Sequence, residues 1–184
     1  MDFAERLAWI DLEMTGLDVE RDVIVEIGVL VTDSDLNILD PGIDIVIHQS
    51  DEVLDGMNEV VQTMHTRSGL LEEIRASTTT HAAAMRDALS YIQSFIPNAA
   101  AAPLCGNTIG MDRRFLAKYA PEIDQHLHYR CIDVSSFKEL CRRWYPEVYK
   151  RRPAKSEAHR AIDDIRDSVA ELAFYRAELL RPPA

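Results

Sequence analysis

Nowhere in the 184 residues does an apolar run approach the roughly 20 residues that cross a bilayer, and the opening MDFAERLA has neither a basic n-region nor an apolar h-region. Membrane-spanning and secreted classes are therefore not expected, and the expected location is cytoplasmic. Cysteine is scarce as well. Cys105, Cys131 and Cys141 are odd in number, form no CxxC pair and sit in apolar patterns, which points to buried free thiols rather than disulfides or zinc ligands. Basic residues are outnumbered, 20 Lys and Arg against 31 Asp and Glu, for a formal net charge of −11. Such a balance excludes a broad electrostatic footprint for long nucleic acid, but not a small polyanion held by metal ions and a few local bases. An acidic exterior selects against long duplexes or serves only solubility. Repeats, linkers and low-complexity segments are also lacking; Ala99 to Ala102 reads as a loop. What remains is 47% hydrophobic composition in one domain's length, so a single domain over residues 1–184 is expected.

Three strand-like runs come first, Ala8 to Met14, Val23 to Thr32 and Ile43 to His48, joined by TGLDVERD and DSDLNILDPG in an antiparallel meander. The pattern then turns helical through MNEVVQTMHTRSGLLEEI and HAAAMRDALSYIQSFIP, the second stopped by Pro97. AAPLCGN reads as a short buried strand, MDRRFLAKYAP as a helix ending at Pro121, and HYRCIDV as a strand. SSFKELCRRWYP follows as a helix capped by Ser135 or Ser136. Last comes AIDDIRDSVAELAFYRAELL, an amphipathic helix with Ile162, Ile165, Val169, Leu172 and Ala173 on one stripe. This order gives an α/β domain, a mixed five-stranded sheet flanked by helices.

The segment WIDLEMTGLD sets two acids in an apolar run. On a strand, Asp11 and Glu13 point to the same face, about 6 to 7 Å apart, while Ile10, Leu12 and Met14 point to the other. Like charges so close call for a cation between them, and the first base after them is Arg21. Asp112, in GNTIGMDRRFL, shares a helical stripe with Phe115, Leu116 and Tyr119, so it points inward and needs a partner too. A metal would serve all three acids. In AHRAIDDIRDS, His159 precedes the last helix, and Asp163 and Asp164 flank its apolar stripe; periodicity does not choose between the two.

Together these segments resemble the DEDD exonucleases of RNase H-like fold, in the subgroup with a histidine general base in an HxAxxD motif. The matching residues are Asp11 and Glu13 in DLEMTGLD, Asp112 in GNTIGMDRRF, and His159, Ala161 and Asp164 in HRAIDD; this spacing selects Asp164. Within that family, WIDLEMTGLD, MHTRSGL, CGNTIGMDRRFLAKY, HYRCIDVSSFKEL and HRAIDDIRDSVAEL are similar to the oligoribonuclease branch over nearly the whole chain.

The resemblance implies two divalent cations, Mg or Mn, held by Asp11, Glu13, Asp112 and Asp164, with His159 as general base in 3'-to-5' hydrolysis to nucleoside 5'-monophosphates. It also implies a substrate of very short single-stranded RNA, down to dinucleotides. Leu17 would wedge at the bases with His65 nearby, and Thr108, Arg130, Ser135 and Ser136 would cap the 5' phosphate. A homodimer is implied, with Leu104 to Tyr119 and His128 to Arg143 as its surface. One departure stands out: many relatives carry a Trp where this chain has Val60, so stacking on a base is expected to be weaker here. Glu26 and Asp163 are expected to be structural. The alternatives are a related exonuclease trimming longer RNA or DNA ends, or a silent module, which would be expected to have lost one of the acids or the histidine, whereas all five are present.

Overall fold

The computed structural model describes residues 5–154, 156 and 160–180. Three strands open the fold: β1 (Arg6–Met14), β2 (Ile24–Asp33) and β3 (Ile43–Val46). Helices α1 (Asp51–Asp55), α2 (Glu59–Ser68), α3 (Leu70–Ala76) and α4 (His81–Phe95) follow, then β4 (Pro103–Gly106), α5 (Gly110–Tyr119) and α6 (Pro121–His126). The chain continues through β5 (His128–Asp133), α7 (Val134–Trp144), α8 (Pro146–Lys150) and α9 (Ala161–Leu179). The sheet is five-stranded and mixed, in the order β3-β2-β1-β4-β5. β1 pairs antiparallel with β2 and parallel with β4, as the meander and the later crossovers require.

Alternation along β1 sorts its side chains into two layers. Ala8, Ile10 and Leu12 join Val29, Val31, Ile92, Phe115 and Leu116 in a core under α4 and α5. Trp9 faces the other way, joining Leu30, Cys105, Cys141, Ile165, Val169 and Tyr175 between the sheet and α7 and α9. β2 is buried from Ile24 to Thr32, because helices cover both of its faces. By the same alternation Asp11 and Glu13 lie on the face that carries α9.

Several expectations are corrected. The helical stretch from Met57 to Ile74 is two helices, broken at Gly69, whose φ is 80°. Pro121 and Pro146 end one helix and also start the next, at first-turn positions where a missing N–H costs nothing. Asp133, not Ser135 or Ser136, caps α7, its carboxylate accepting the Ser135 N–H. On α9 Ala173 is exposed, and the buried stripe runs instead through Ile165, Ser168, Val169, Leu172 and Tyr175 with the acid Glu171. Lys138 and Asn107 satisfy that acid, which a hydrophobic pattern does not register. Cys131 is exposed on the outer strand, whereas Cys105 and Cys141 are buried free thiols as expected. Among the described residues no helix is long and apolar enough to cross a membrane.

Candidate active site

β1 delivers Asp11 and Glu13 to the α9 face of the sheet, and the first turn of α9 delivers Asp164 to the same place. One carboxylate oxygen from each lies within 4.8 Å of the others. Glu13 is buried, and the other two are half-buried. Burial, then the charges of Glu26, Asp164 and Asp112, push the Glu13 carboxyl up to about 8, while Arg160 opposes the rise. Three acids converging with only partial compensation form an oxygen-only cluster that a hard divalent cation fits.

Asp112 comes from the opposite layer. β4 pairs with β1 at Ala8 and Trp9 and ends at Gly106, so the β1 backbone beyond it lies outside that ladder. There the buried Asp112 carboxylate accepts the Leu12 N–H at 3.1 Å. Burial raises its carboxyl to about 6 against two backbone hydrogen bonds that lower it. It stands outside the three-acid group but close enough to raise Glu13. His159 lies outside the described residues.

The loop after β1 is tied down by Asp22, which accepts from Thr15 Oγ1 at 3.0 Å and from the Asp18 N–H at 2.8 Å. Leu17 projects from this loop with 66% of its surface exposed, so it is not a core residue. His65 is fully buried beside the acid site, with Nε2 2.9 Å from the Met14 carbonyl and Nδ1 3.9 Å from Glu13 Oε2. Val60, on the outer face of α2, is 77% exposed.

Of the residues expected to cap a phosphate, Thr108 and Ser135 meet at Asp133, at the junction of β5 and α7. Its Oδ1 accepts the Thr108 N–H at 2.9 Å, the Ser135 N–H at 2.9 Å and the Ser135 hydroxyl at 2.6 Å. Thr108 takes a φ of 61°, a left-handed conformation that this hydrogen bond helps to hold. Arg130 and Ser136 are exposed, and the Arg130 guanidinium carbon lies 5.5 Å from the centroid of the Tyr129 ring. Thr108 and Ser135 are thus brought together by a residue that sequence reasoning passed over. Its only signal was the position before a helical run, where an Asp is a strong cap.

Glu26 and Arg160 were missed as partners, and at a separation of 134 positions no local pattern points to the pair. Asp163 pairs with Arg166 at 3.0 Å on the surface, in keeping with a structural role.

Residues 8–172 match the RNase T exonuclease family. An oligoribonuclease of Mycobacterium sp. (strain KMS) is 55% identical over 180 residues, covering 97% of this chain and 84% of the relative. An oligoribonuclease of Leifsonia xyli subsp. xyli is 57% identical over 173 residues, covering 94% and 83%. The chain belongs to the oligoribonuclease family of exonucleases. Among solved structures, E. coli exonuclease I in complex with a dA16 oligonucleotide superposes with a TM-score of 0.74 at 15% identity, covering 95% of this chain. Exonuclease I from Methylocaldum szegediense gives 0.69, also at 15% identity. The chain spans 41% of the length of each of those proteins, and at 15% identity the likeness is one of fold, the RNase H-like architecture expected from the sequence. The acids Asp11, Glu13, Asp112 and Asp164 all fall within the matched family segment, as do His159 and the cap residues.

Proposed function

We propose that this chain is a 3'-to-5' exoribonuclease that hydrolyses very short oligoribonucleotides, down to dinucleotides, to nucleoside 5'-monophosphates. The observation that carries the reading is the convergence of Asp11, Glu13 and Asp164 in a chain 55% identical to an oligoribonuclease. These acids would hold two divalent cations, magnesium or manganese, with Asp112 completing the set. Bound ions of this kind polarise phosphoryl oxygens, lower the pKa of water and stabilise a departing oxygen at the other end of an in-line displacement.

The chain's own residues do the rest. Glu13, its carboxyl raised by burial, would hold a cation in its deprotonated form, its proton passing to solvent. Asp112 stays oriented by the Leu12 N–H. His159 takes the proton of the attacking water, a transfer suited to a group that titrates near neutrality. Leu17, exposed at the loop tip, presents an apolar wedge to the bases. Arg130, Thr108, Ser135 and Ser136 hold the 5' phosphate, which sets substrate length by giving a dinucleotide a contact at each end. His65, buried beside Glu13, lies near the bases in this reading.

A homodimer is supported by the exposed Tyr129, Leu140, Trp144 and Tyr145, all on or next to the outer strand β5 and α7. Residues 1–184 form a single exonuclease domain in this reading, which acts in the cytoplasm.

The competing reading, an exonuclease trimming longer RNA or DNA ends, draws only on the shared fold of exonuclease I, and the net charge of −11 disfavours it. Turnover on 5'-phosphorylated RNAs of increasing length, with magnesium present, separates the two. The fastest turnover is expected on dinucleotides. Equal rates on dinucleotides and long oligomers would remove the short-substrate claim, and activity indifferent to chelator would remove the metal claim.

A further inference from the structure

We infer that Glu26 is a positioning residue of the acid site, acting through Arg160 to seat the helix that carries Asp164. The inference rests on the proposed metal site. One oxygen from each of three acids lies within 4.8 Å of the others, a convergence that depends on the segment bringing Asp164 to Asp11 and Glu13 being closely placed. The apolar stripe of α9 packs it onto the sheet, but its first turn has no capping side chain of its own: its N-cap is Arg160, whose side chain makes no capping hydrogen bond. The Ala161 N–H, one of the first-turn donors of α9, is taken instead by Glu26 Oε2 at 3.0 Å, from strand β2.

The other oxygen of Glu26 accepts Arg160 Nε at 2.8 Å. The outer nitrogens of that guanidinium reach Glu73 on α3 at 2.8 and 2.7 Å, and Asp44 on β3 lies 3.7 Å away. One fully buried carboxylate therefore fixes the residue that follows His159 in the chain and the first residue of α9 together. Its placement is direct: Glu26 is the register partner of Glu13, so the anchor stands on the neighbouring strand beside a proposed metal ligand.

Gly28, two residues on and on the same face, lets α9 lie against the strand. A Cβ there would come within 2.8 to 2.9 Å of Ala161 and Ile162. The backbone contact fixes how closely the helix approaches, and the Glu26 carboxylate fixes how far along the strand it sits. Glu26 pairs with the Arg160 cation and the Ala161 N–H, so its part is to hold Asp164 in place, as outer partners of ligating carboxylates do.

The test is Glu26→Gln, which keeps the shape and an acceptor for Ala161 but gives up the charge that Arg160 pairs with. Manganese titrated calorimetrically into the protein, without substrate, is expected to bind about 10-fold to 100-fold more weakly than in wild type. On a dinucleotide, kcat at fixed metal should fall by a similar factor while KM stays within about two-fold. Ile92→Val, in the opposite core, serves as the control: it lowers the melting temperature and leaves manganese affinity unchanged. Should Glu26→Gln fail to fold, Glu26→Asp, which keeps the charge on a shorter stem, takes the same measurements with the same expectation. Wild-type manganese affinity and kcat in the folded variant would overturn the inference. Asp164→Asn tells the two readings apart. If it loses manganese binding while the Glu26 variant does not, only the anchor fails; if it keeps both metal and turnover, the metal site itself fails.

Discussion

The Asp112 carboxylate grips the amide of Leu12, the residue that lies between Asp11 and Glu13 on β1, at 3.1 Å. An acid about 100 residues further along the chain is thereby fixed to the backbone between the two acids of the opening strand. Asp112→Asn retains an acceptor oxygen for that amide and loses the negative charge. Its melting temperature should stay close to wild type while kcat falls by a factor of ~10² or more, the upper end of the loss typical of groups that support a metal site. Thermal denaturation alongside dinucleotide turnover checks both halves.

Glu13 is held at about 8 against an ordinary value of 4.5, mainly by burial, and Asp112 at about 6 against 3.8, also by burial. Both folded values are raised, so these two groups bind more protons in the folded protein than in the unfolded chain across roughly pH 4 to 8. Their contribution to the stability of metal-free protein should therefore be lost as pH rises through that window. Divalent cations require the deprotonated acids, so their stabilising effect should grow over the same window. Melting curves from pH 5 to 8.5, with chelator and with magnesium, are expected to diverge steadily as pH increases. Parallel curves would refute the assignment of Glu13 as a ligand.

His159→Ala should leave manganese affinity near wild type and lower kcat by about 10² to 10⁴, the usual contribution of a positioned base. The acid limb of the pH–rate profile should disappear with it. Calorimetry and a pH–rate series give the two readouts independently.

Arg130→Ala removes an exposed guanidinium proposed to hold the terminal 5' phosphate. The loss in kcat/KM should be large on a 5'-phosphorylated dinucleotide, on the order of 10-fold to 100-fold for a charge-assisted contact, and small on long oligomers whose 5' end lies elsewhere. Asp133→Ala should produce the same length-dependent pattern, because Thr108 and Ser135 both depend on that carboxylate. An equal loss at all lengths would argue against the cap.

Much of the fold can be read along the chain. Asp11 and Glu13 had to share a face, and Ile10 and Leu12 had to point away, because side chains on a strand alternate whatever surrounds it. The apolar period of the last helix likewise identified Ile165, Val169 and Leu172 as buried. Reading failed where a polar residue took a buried place or a short helix began at a proline. Glu171 escaped because Lys138 and Asn107 satisfy it from other elements, and α6 and α8 escaped because Pro121 and Pro146 read as stops. The depth of His65 was not legible either: α2 carries it fully buried against Met14 and Glu13.

The sequence by itself determined the faces and the kind of chemistry, since these follow from backbone alternation and residue types within a few positions. Tertiary structure alone decided which distant groups meet. Asp164 reaches Asp11 and Glu13, Asp112 reaches Leu12, and Glu26 reaches Arg160 only after the strand order β3-β2-β1-β4-β5 brings their elements together. The physical reason is range: periodicity is fixed by neighbouring peptide units, whereas charge pairing acts between any side chains that packing leaves a few ångströms apart.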